Sequence, residues 1–340
     1  MAFFKKVACF TDIHFGLKGN SRVHNDDCEA FVYWFIEQAK AHGCETCIFL
    51  GDWHHHRAAT NVSTMNYTVS NIERLGKAFE KVYVIMGNHD LFYREKREIN
   101  SMEFIRNIPN VHIVNEWIVE DDVAIIPWVV GDEWKVIEKM TQKYVFGHFE
   151  LPYFKMNAMV EMPDVGTIRA EHFKNCGMVF SGHFHKRQQN GNVTYMGNAF
   201  PHNYADAWDE DRGMMVLEYG GQPKYINWPD MPRYITIKIS ELLQDAEKIL
   251  KPKMYVRVTL DIKISYEEAN FIRETFIDKY KLRELQLIPE QVDNAQQQTV
   301  EVQKFDSVDQ IVIKQLQGVD SETYDKNILT AIYNDLDVNH

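Results

Sequence analysis

The chain has 340 residues, of which 45% are apolar and 13% aromatic, so it can bury the cores of two or three domains. Its formal net charge of −12 argues against a protein that holds nucleic acid by charge alone, because phosphate contacts need Lys and Arg. It has neither an apolar run of the ~18 residues that a membrane span needs nor a long apolar segment near its start, so we expect a cytoplasmic protein without a signal peptide.

Strand and helix patterns alternate between residues 5 and 230. Apolar runs rich in β-branched and aromatic residues predict strands at 7–11, 46–50, 82–86, 111–114, 123–128, 144–146, 178–180, 193–196 and 214–219. Helical spacing of apolar residues predicts helices at 24–42, 63–79, 100–107 and 132–142. This order of elements predicts an α/β fold in which two packed sheets are flanked by helices.

Pro- and Gly-rich stretches at 220–223 and 228–232 predict a domain boundary. We therefore expect a first domain at 1–228 and a small α+β module at 229–290. The module is predicted to contain strands at 234–239, 254–260 and 284–287 and helices at 241–250 and 266–279.

Beyond residue 290 the sequence becomes polar and then amphipathic. A Gln-rich segment predicts a linker at 291–306. The tail at 307–340 has two amphipathic helical patterns, which favour a segment that docks another chain. Packing of the tail on its own domain is the alternative.

The five cysteines are an odd number, which indicates free thiols in a reducing compartment. Cys44 and Cys47 have the spacing of a redox or zinc-binding pair, but no second pair accompanies them. Cys47 also lies inside a predicted strand. Two buried thiols are therefore the favoured interpretation.

Five short segments share one design, in which a Gly or a turn places an Asp, Asn or His at the end of a predicted strand. They are Asp12-Ile13-His14, Gly51-Asp52, Gly87-Asn88-His89-Asp90, Gly147-His148 and Gly182-His183-Phe184-His185. Open α/β sheets build their sites at such strand ends. The set offers N and O ligands for two divalent metals that share one carboxylate, and it suits Mn²⁺, Fe or Zn. Two adjacent metals clamp an oxyanion and activate water, which cleaves phosphoesters.

In this order the five motifs resemble the calcineurin-like metallophosphoesterases. Within that superfamily the chain resembles the SbcD-type nuclease subunits, above all those of tailed phages, which share Ile126-Pro127-Trp128 and the Gly-His-Phe-His motif. The motif resemblance covers residues 5–220 and implies a four-layer α/β/β/α sandwich with a small capping, DNA-recognition domain and a helical tail. Thr11 stands where the family usually has Gly, and Asn198 replaces a common Ser.

The resemblance also implies the ligands of two Mn²⁺ ions, although other divalent metals are possible. The first metal is expected on Asp12, His14 and His185, the second on Asn88, His148 and His183, and Asp52 is expected to bridge them.

Two further histidines are implied to act on the substrate. His89 is expected to face the phosphate, where it orients an oxygen or protonates the leaving 3′-oxygen, with Asp90 or Asp12 as its partner. Alternatively, Asp90 only caps the following turn. His55 matches a second family histidine, but the run His54-His55-His56 leaves open which ring faces the site. The remaining histidines match no motif and are interpreted as structural or surface residues: His24, His42, His112, His172, His202 and His340.

Basic residues are grouped beside two ligand motifs, at 94–97 and 186–187. They are either DNA contacts or an ordinary solvated face. The acidic net charge suggests that a partner supplies part of any grip on DNA.

The resemblance implies a Mn²⁺-dependent DNA nuclease subunit, a 3′→5′ exonuclease and single-strand or hairpin endonuclease that processes DNA ends in recombination and double-strand-break repair. It implies a homodimer through helices at 63–79 and 100–107. The tail would dock an SbcC-type coiled-coil ATPase in a two-plus-two heterotetramer, in the cytoplasm of a phage-infected bacterium.

The alternative function is a small-molecule or protein phosphoesterase that uses the same site. Protein phosphatases of the superfamily usually have Gly-Asp-x-x-Asp-Arg-Gly at the second motif, whereas this chain has Gly51-Asp52-Trp53-His54-His55-His56-Arg57. A scaffold without metals is the third possibility. It is disfavoured because every ligand position is filled.

Overall fold

The computed structural model describes residues 2–156 and 160–289. The residues up to 289 form one compact unit. The predicted linker at 291–306 and tail at 307–340 lie outside the described residues. No helix in the described ranges is both long and apolar enough to span a lipid bilayer.

The first sheet has six strands in the order β14-β13-β1-β2-β3-β6. Its strands are β1 (Lys6–Phe10), β2 (Thr46–Phe49), β3 (Lys81–Ile85), β6 (Val111–Val114), β13 (Gly213–Glu218) and β14 (Lys224–Asn227). Strands β1, β2, β3 and β6 are parallel, and β13 and β14 are antiparallel to their neighbours. The strand ends of the parallel part therefore lie along one edge.

The second sheet also has six strands, in the order β11-β12-β10-β9-β8-β7. Its strands are β7 (Ile118–Glu120), β8 (Val123–Ile126), β9 (Tyr144–His148), β10 (Met178–Gly182), β11 (Gln188–Asn190) and β12 (Val193–Tyr195). The four inner strands are parallel, and the two edge strands are antiparallel.

The inner strands are mostly apolar, which fits the burial of both of their faces. In β1, Ala8 and Phe10 pack with the helices, whereas Val7 and Cys9 pack with the second sheet. Residues from both sheets fill the cluster between them, including Ile48, Ile125, Phe146 and Phe180. A third cluster covers the outer face of the second sheet.

Helices cover the outer face of the first sheet. The α-helices before the small module are α1 (Leu17–Asn20), α2 (Arg22–Ala41), α3 (Val62–Ala78) and α4 (Trp134–Ile137), and short 3₁₀ helices lie at Glu103–Ile105, Ala170–Phe173 and Tyr204–Asp206. The Ser21 and Asn61 side chains cap α2 and α3 by accepting backbone N–H bonds. Phe35 of α2 packs on Phe10, with ring centroids 4.5 Å apart.

The small module is a parallel sheet in the order β15-β16-β17 with two helices. Its elements are β15 (Tyr234–Lys238), α5 (Ile239–Ile249), β16 (Tyr255–Leu260), α6 (Tyr266–Tyr280) and β17 (Glu284–Pro289). It has a separate apolar cluster. It contacts the larger part of the fold where Arg283 Nη2 lies 3.0 Å from Asp27 Oδ1 and where Lys18 donates to the Tyr234 hydroxyl.

The prediction of a mixed α/β fold with several sheets is confirmed, but two predicted helices are wrong. The 100–107 segment is not α-helical, because Asn100 ends β5 (Lys96–Asn100), which pairs with β4 (Leu91–Tyr93). The Asn100 side chain then accepts from the Met102 N–H at 3.0 Å, and this local bond competes with a helix. In place of the predicted helix at 132–142, the structure has a single helical turn, α4. Ile137 and Met140 are the only residues of that segment that the core buries.

The sequence patterns did not predict several short strands. Strands β7, β11 and β14 and the β4–β5 hairpin lack the continuous apolar runs of the central strands, because only one face or neither face is buried. Strand β14 lies between the two stretches that predict the boundary after residue 228, and that boundary stays a prediction.

Candidate metal centre

The residues predicted as ligands lie together where the two sheets meet. Strands β1, β2 and β3 end just before Asp12, Asp52 and Asn88, while β9 ends at His148 and β10 ends just before His183. Gly182 is the register partner of His148, so the two ligand-bearing loops of the second sheet are level. The parallel order of both sheets therefore brings all five motifs to one edge.

Four of these residues adopt left-handed backbone conformations, with φ values of 50° at Asp12, 52° at His14, 63° at Asp52 and 89° at His183. Such a conformation costs a non-Gly residue about 1–3 kcal/mol, and strain of this kind concentrates at functional sites. Backbone bonds across the motifs stabilise it, since the Asp12 N–H donates to the Gly51 carbonyl at 3.0 Å. These bonds hold the backbone in a conformation in which the predicted ligands face one another.

The first group of predicted ligands surrounds the His14 ring. His14 Nε2 lies 3.8 Å from Asp12 Oδ1 and 3.8 Å from Asp52 Oδ2. His185 Nε2 lies 3.8 Å from the same Asp12 oxygen. Both ring nitrogens of His14 are buried without a hydrogen-bond partner. Unpaired buried nitrogens facing two carboxylates fit a cation-binding role, because a buried polar group without a partner is costly.

The second group surrounds the Asn88 amide. Asn88 Oδ1 lies 3.1 Å from His148 Nε2 and 2.9 Å from His183 Nδ1. His148 Nε2 also lies 3.4 Å from Asp52 Oδ2. The same Asp52 oxygen therefore faces both groups, which is the position expected of a bridging carboxylate.

Neighbouring groups orient these side chains. The His148 Nδ1–H donates to the Leu50 carbonyl at 2.7 Å, which leaves Nε2 for a metal. The Thr11 hydroxyl donates to Asp12 Oδ2 at 2.6 Å, so the departure from the family Gly supports a ligand rather than removing one.

Glu150 was not predicted as a site residue. Its carboxylate lies on the Nε2 side of the His183 ring, opposite the Nδ1 that faces Asn88. Its carboxylate lies 3.6 Å from His183 Nε2 and accepts from Arg94. The neighbouring His183 imidazole lowers the pKa of the Glu150 carboxyl, and Arg94 adds to this effect. A carboxylate behind a metal-binding imidazole fixes its tautomer and orientation. No motif signals Glu150, although it follows His148 by two residues.

Asp52 and His148 shift each other's pKa in opposite directions. Burial opposes ionisation of Asp52, but the charge of His148 and its hydrogen bond lower the pKa of Asp52 well below its usual value. Burial also disfavours the charged form of His148, but Asp52 raises the pKa of His148 to about 9. In the absence of metal the pair is therefore an ion pair at neutral pH.

The three consecutive histidines have different environments. His54 is buried and both of its ring nitrogens are bonded, to Ser101 Oγ at 2.7 Å and Thr68 Oγ1 at 2.8 Å, so its place is structural. His56 is exposed. The His55 ring faces the site, with its centroid 5.4 Å from the His14 ring and 5.4 Å from the His89 ring.

The expected carboxylate partner of His89 is replaced by a backbone group. His89 Nδ1–H donates to the His55 carbonyl at 2.8 Å, and the His89 backbone N–H donates to Asp52 Oδ1 at 2.8 Å. The Asp90 carboxylate instead accepts four backbone N–H groups of the second and third motifs. They belong to Asp52 at 2.8 Å, Trp53 at 3.0 Å, His54 at 3.0 Å and Gly87 at 3.1 Å. Asp90 thus does more than cap its own turn, because it ties the two motifs together.

The basic residues beside the motifs do not form an open basic face. Arg97 is buried, and its guanidinium pairs with Glu133 at 2.5 Å. Arg187 is largely buried and donates to the Met196 carbonyl at 3.1 Å. Arg94, Lys96 and Lys186 keep more of the side chain in solvent, but each of them also lies within 3.9 Å of a carboxylate.

We expect Gly182→Ala to prevent the predicted ligands from assembling into the metal centre. A Cβ at this position would lie 2.6 Å from the Leu50 carbonyl oxygen and 2.8 Å from His148 Nδ1, and it would overlap the Thr11 hydroxyl. Metal binding should fall by more than about tenfold and stability by about 1–3 kcal/mol, because a core group is overpacked. Metal titration and thermal unfolding check this. Gly191→Ala is the matched control, since its site is open and its strain is purely local.

The comparisons with known proteins agree with this geometry. A sequence model of the family described as calcineurin-like phosphoesterase matches residues 5–187, more than half of the chain. The chain belongs to this family. The predicted resemblance is confirmed, and this calcineurin-like phosphoesterase is a hydrolytic enzyme. The family uses a dinuclear metal site, and the His and Asp cluster fits one.

One curated relative is a phage nuclease subunit. Exonuclease subunit 1 of Enterobacteria phage T4 is 26% identical to the calcineurin-like phosphoesterase over 222 residues, which cover 63% of this chain and 64% of the relative. The chain thus spans less than two thirds of that protein's length. The resemblance to phage nuclease subunits is distant and partial.

Three solved structures are similar at low scores. Nuclease MPE of Pseudomonas putida is 21% identical, with 55% of this chain and 66% of that chain covered and a TM-score of 0.29. A dimetal phosphatase from Danio rerio is 9% identical, with 63% and 92% covered and a TM-score of 0.39. The phosphopantetheinyl hydrolase of Mycobacterium tuberculosis is 14% identical, with 58% and 91% covered and a TM-score of 0.34. At TM-scores this low, no conclusion about function follows from these three structures.

Proposed function

We propose that this calcineurin-like phosphoesterase is a Mn²⁺-dependent DNA nuclease subunit, a 3′→5′ exonuclease and single-strand or hairpin endonuclease. The observation that carries the proposal is the placement of Asp52 Oδ2, which faces His14 at 3.8 Å and His148 at 3.4 Å, with His89 bonded to the other oxygen. The relative whose printed name is an exonuclease subunit supports DNA as the substrate.

The residues present fit two metals. Asp12, His14 and His185 would hold the first, Asn88, His148 and His183 the second, and Asp52 both. The metals would supply a Lewis acid and an activated water for attack on phosphorus. The donors are nitrogen and oxygen only, and the five cysteines are buried elsewhere, which supports Mn²⁺.

Two histidines of the chain would act on the substrate itself. His89 is oriented through its Nδ1–H, which leaves its Nε2 free to face the substrate. As an imidazolium it would donate through Nε2–H to a phosphate oxygen or protonate the leaving 3′-oxygen. His55 stacks beside it with ring planes 16° apart, so it would contact the same phosphate. Asp90 keeps both histidines in place by bonding the backbone of their motifs.

The arrangement of domains and partners is part of the proposal. We infer a four-layer sandwich at 1–228, supported by the three apolar clusters on and between the sheets, and a capping, DNA-recognition domain at 229–290. The homodimer would use α3, whereas the 100–107 segment contains only the short 3₁₀ helix Glu103–Ile105. The setting would be DNA recombination and repair in the cytoplasm of a phage-infected bacterium.

The tail at 307–340 would dock an SbcC-type coiled-coil ATPase and give a two-plus-two heterotetramer. We expect a chain ending at Gln291 to bind two metals like the full chain but to lose co-purification with such a partner. Equal co-purification of the full and shortened chains would contradict the docking role.

One set of observations favours the alternative, a phosphoesterase that acts on a small molecule. Two arginines beside the third motif are engaged by carboxylates, Arg94 by Glu150 and Arg97 by Glu133. A cavity of about 370 Å³ beside the second group is lined by Trp128, His148 and other residues, and its size suits one small ligand.

The deciding experiment compares two substrates under Mn²⁺. End-labelled single- and double-stranded DNA and bis-p-nitrophenyl phosphate are incubated with the full chain, with and without EDTA. Metal-dependent degradation of DNA supports the nuclease. Turnover of the small ester without DNA cleavage, even with an SbcC-type partner and ATP, would favour the alternative, and inactivity on both would contradict each.

We expect metal affinity to rise with pH. The metal must displace the proton of His148, whose pKa Asp52 raises to about 9 although burial lowers it. Apparent affinity should therefore increase about tenfold per pH unit between pH 7 and 9 and level off above, because one bound proton is released. Calorimetric titration in buffers of different ionisation enthalpy measures that proton. Asp52→Asn, which lacks the responsible charge, should flatten the dependence.

A further inference from the structure

A third imidazole lies against the first group of predicted ligands. The His202 ring centroid is 5.4 Å from that of His14 and 5.3 Å from that of His185. Their ligand nitrogens all lie within 4.8 Å of one another. One ion with metal–nitrogen bonds of about 2.0–2.1 Å holds its nitrogens roughly 3–4 Å apart, so the three rings would close by about 1 Å around a shared metal.

His202 is rigidly held and its ring has an unpaired nitrogen. The residue is 2% exposed, and its backbone N–H donates to Asp206 Oδ2 at 2.9 Å. Asp206 is itself buried and pairs with Arg212 at 3.2 Å. His202 Nε2 is buried without a hydrogen-bond partner. An unsatisfied buried nitrogen costs about 1–3 kcal/mol, so packing alone does not account for a histidine here.

His24, a neighbouring histidine, has the contacts expected of a purely structural residue. His24 packs on the same Phe200 ring, but its Nε2 bonds the His14 carbonyl at 3.0 Å and is satisfied. His202 packs on Phe200 as well, with centroids 5.2 Å apart, yet its Nε2 has no such bond. His202 differs from His24 in two ways: its Nε2 is unpaired, and one of its ring nitrogens lies within 4.8 Å of ring nitrogens of His14 and His185.

We propose that His202 is a further ligand of the first metal, beside Asp12, His14, Asp52 and His185. This inference rests on the proposed dinuclear site. Three imidazoles and two carboxylates would make the first position richer in nitrogen than the second. The first metal would then bind more tightly, and nitrogen-preferring ions such as Co²⁺ or Zn²⁺ would gain more there than Mg²⁺.

The test measures metal binding rather than activity. Metal-free wild type, His202→Leu and His202→Gln are titrated with Mn²⁺ and with Co²⁺, and the visible spectrum of bound Co²⁺ reports its ligands. Phe200→Leu is the matched control, because it disturbs the same packing without removing a nitrogen. Unfolding temperatures without metal show whether each variant is folded.

We expect two metals per wild-type chain. His202→Leu should weaken the tighter site by at least about tenfold and change the Co²⁺ spectrum. His202→Gln, which offers an oxygen at similar reach, should recover part of the affinity, and Phe200→Leu should bind like wild type. Wild-type affinity and spectrum in both His202 variants would overturn the proposal while leaving the dinuclear site intact, as would equal weakening by Phe200→Leu. A wild-type chain that binds no metal would overturn both proposals.

Discussion

Asp52→Asn is expected to abolish phosphoester cleavage, with a loss of at least about a thousandfold, or roughly 4 kcal/mol of transition-state stabilisation. The amide can keep its Oδ1, which accepts the His89 N–H at 2.8 Å. Its NH₂ would replace the oxygen that faces His14 at 3.8 Å and His148 at 3.4 Å. The change therefore removes the shared anionic ligand while leaving the local backbone bond in place.

The substitution should also reduce bound metal. Affinity should fall by more than the roughly 10–100-fold that loss of an outer-shell partner costs. Elemental analysis and Mn²⁺ titration of the purified variant measure this. Asp132→Asn, at an exposed carboxylate on the surface, is the control for the same chemical change. Retention of two metals with wild-type activity would show that Asp52 is not the bridging ligand.

His89→Gln is expected to lower DNA cleavage by about 10²–10⁴-fold without loss of metal, which is the range for a group that donates a proton in the transition state. His89 is not one of the predicted ligands, and its backbone bond to Asp52 survives the change. The loss should lie mainly in kcat. His56→Ala is the matched control, because it removes an exposed imidazole from the adjacent loop.

The leaving group separates the two roles considered for His89. A p-nitrophenyl ester of thymidine 5′-phosphate has a leaving oxygen that needs no proton. If His89 protonates the leaving 3′-oxygen, the variant should lose far less activity on this ester than on DNA. Equal losses on both substrates would assign His89 to orientation of a phosphate oxygen. No loss on either would exclude it from the reaction.

The proximity of the seven predicted ligands could be predicted from sequence because each lies at or shortly after the end of a parallel strand. Parallel strands place such ends at one edge, so local motifs in the right order were enough to predict their proximity. The strands themselves were clear because burial on both faces makes them continuously apolar, as in 7–10 and 46–49.

The choice among three adjacent histidines could not be made from sequence. His54 and His55 are neighbours of the same type, but one is satisfied by Ser101 and Thr68 while the other faces His89. Those partners are 14 to 47 residues away along the chain. Likewise, the grouping of Arg97 with other basic residues predicted a surface, whereas its distant partner Glu133 buries it.

By itself, the sequence indicated the α/β class, the positions of the central strands along the chain, the family and a set of candidate ligands. These depend on local periodicity and on motifs whose spacing survives any detail of packing. Only the tertiary structure decided that Asp90 joins two motifs, that Glu150 lies beside His183 and that the His202 ring, with its unpaired Nε2, lies beside His14. Such roles arise from contacts between residues far apart in the chain, and no local pattern encodes which buried nitrogen is left without a partner.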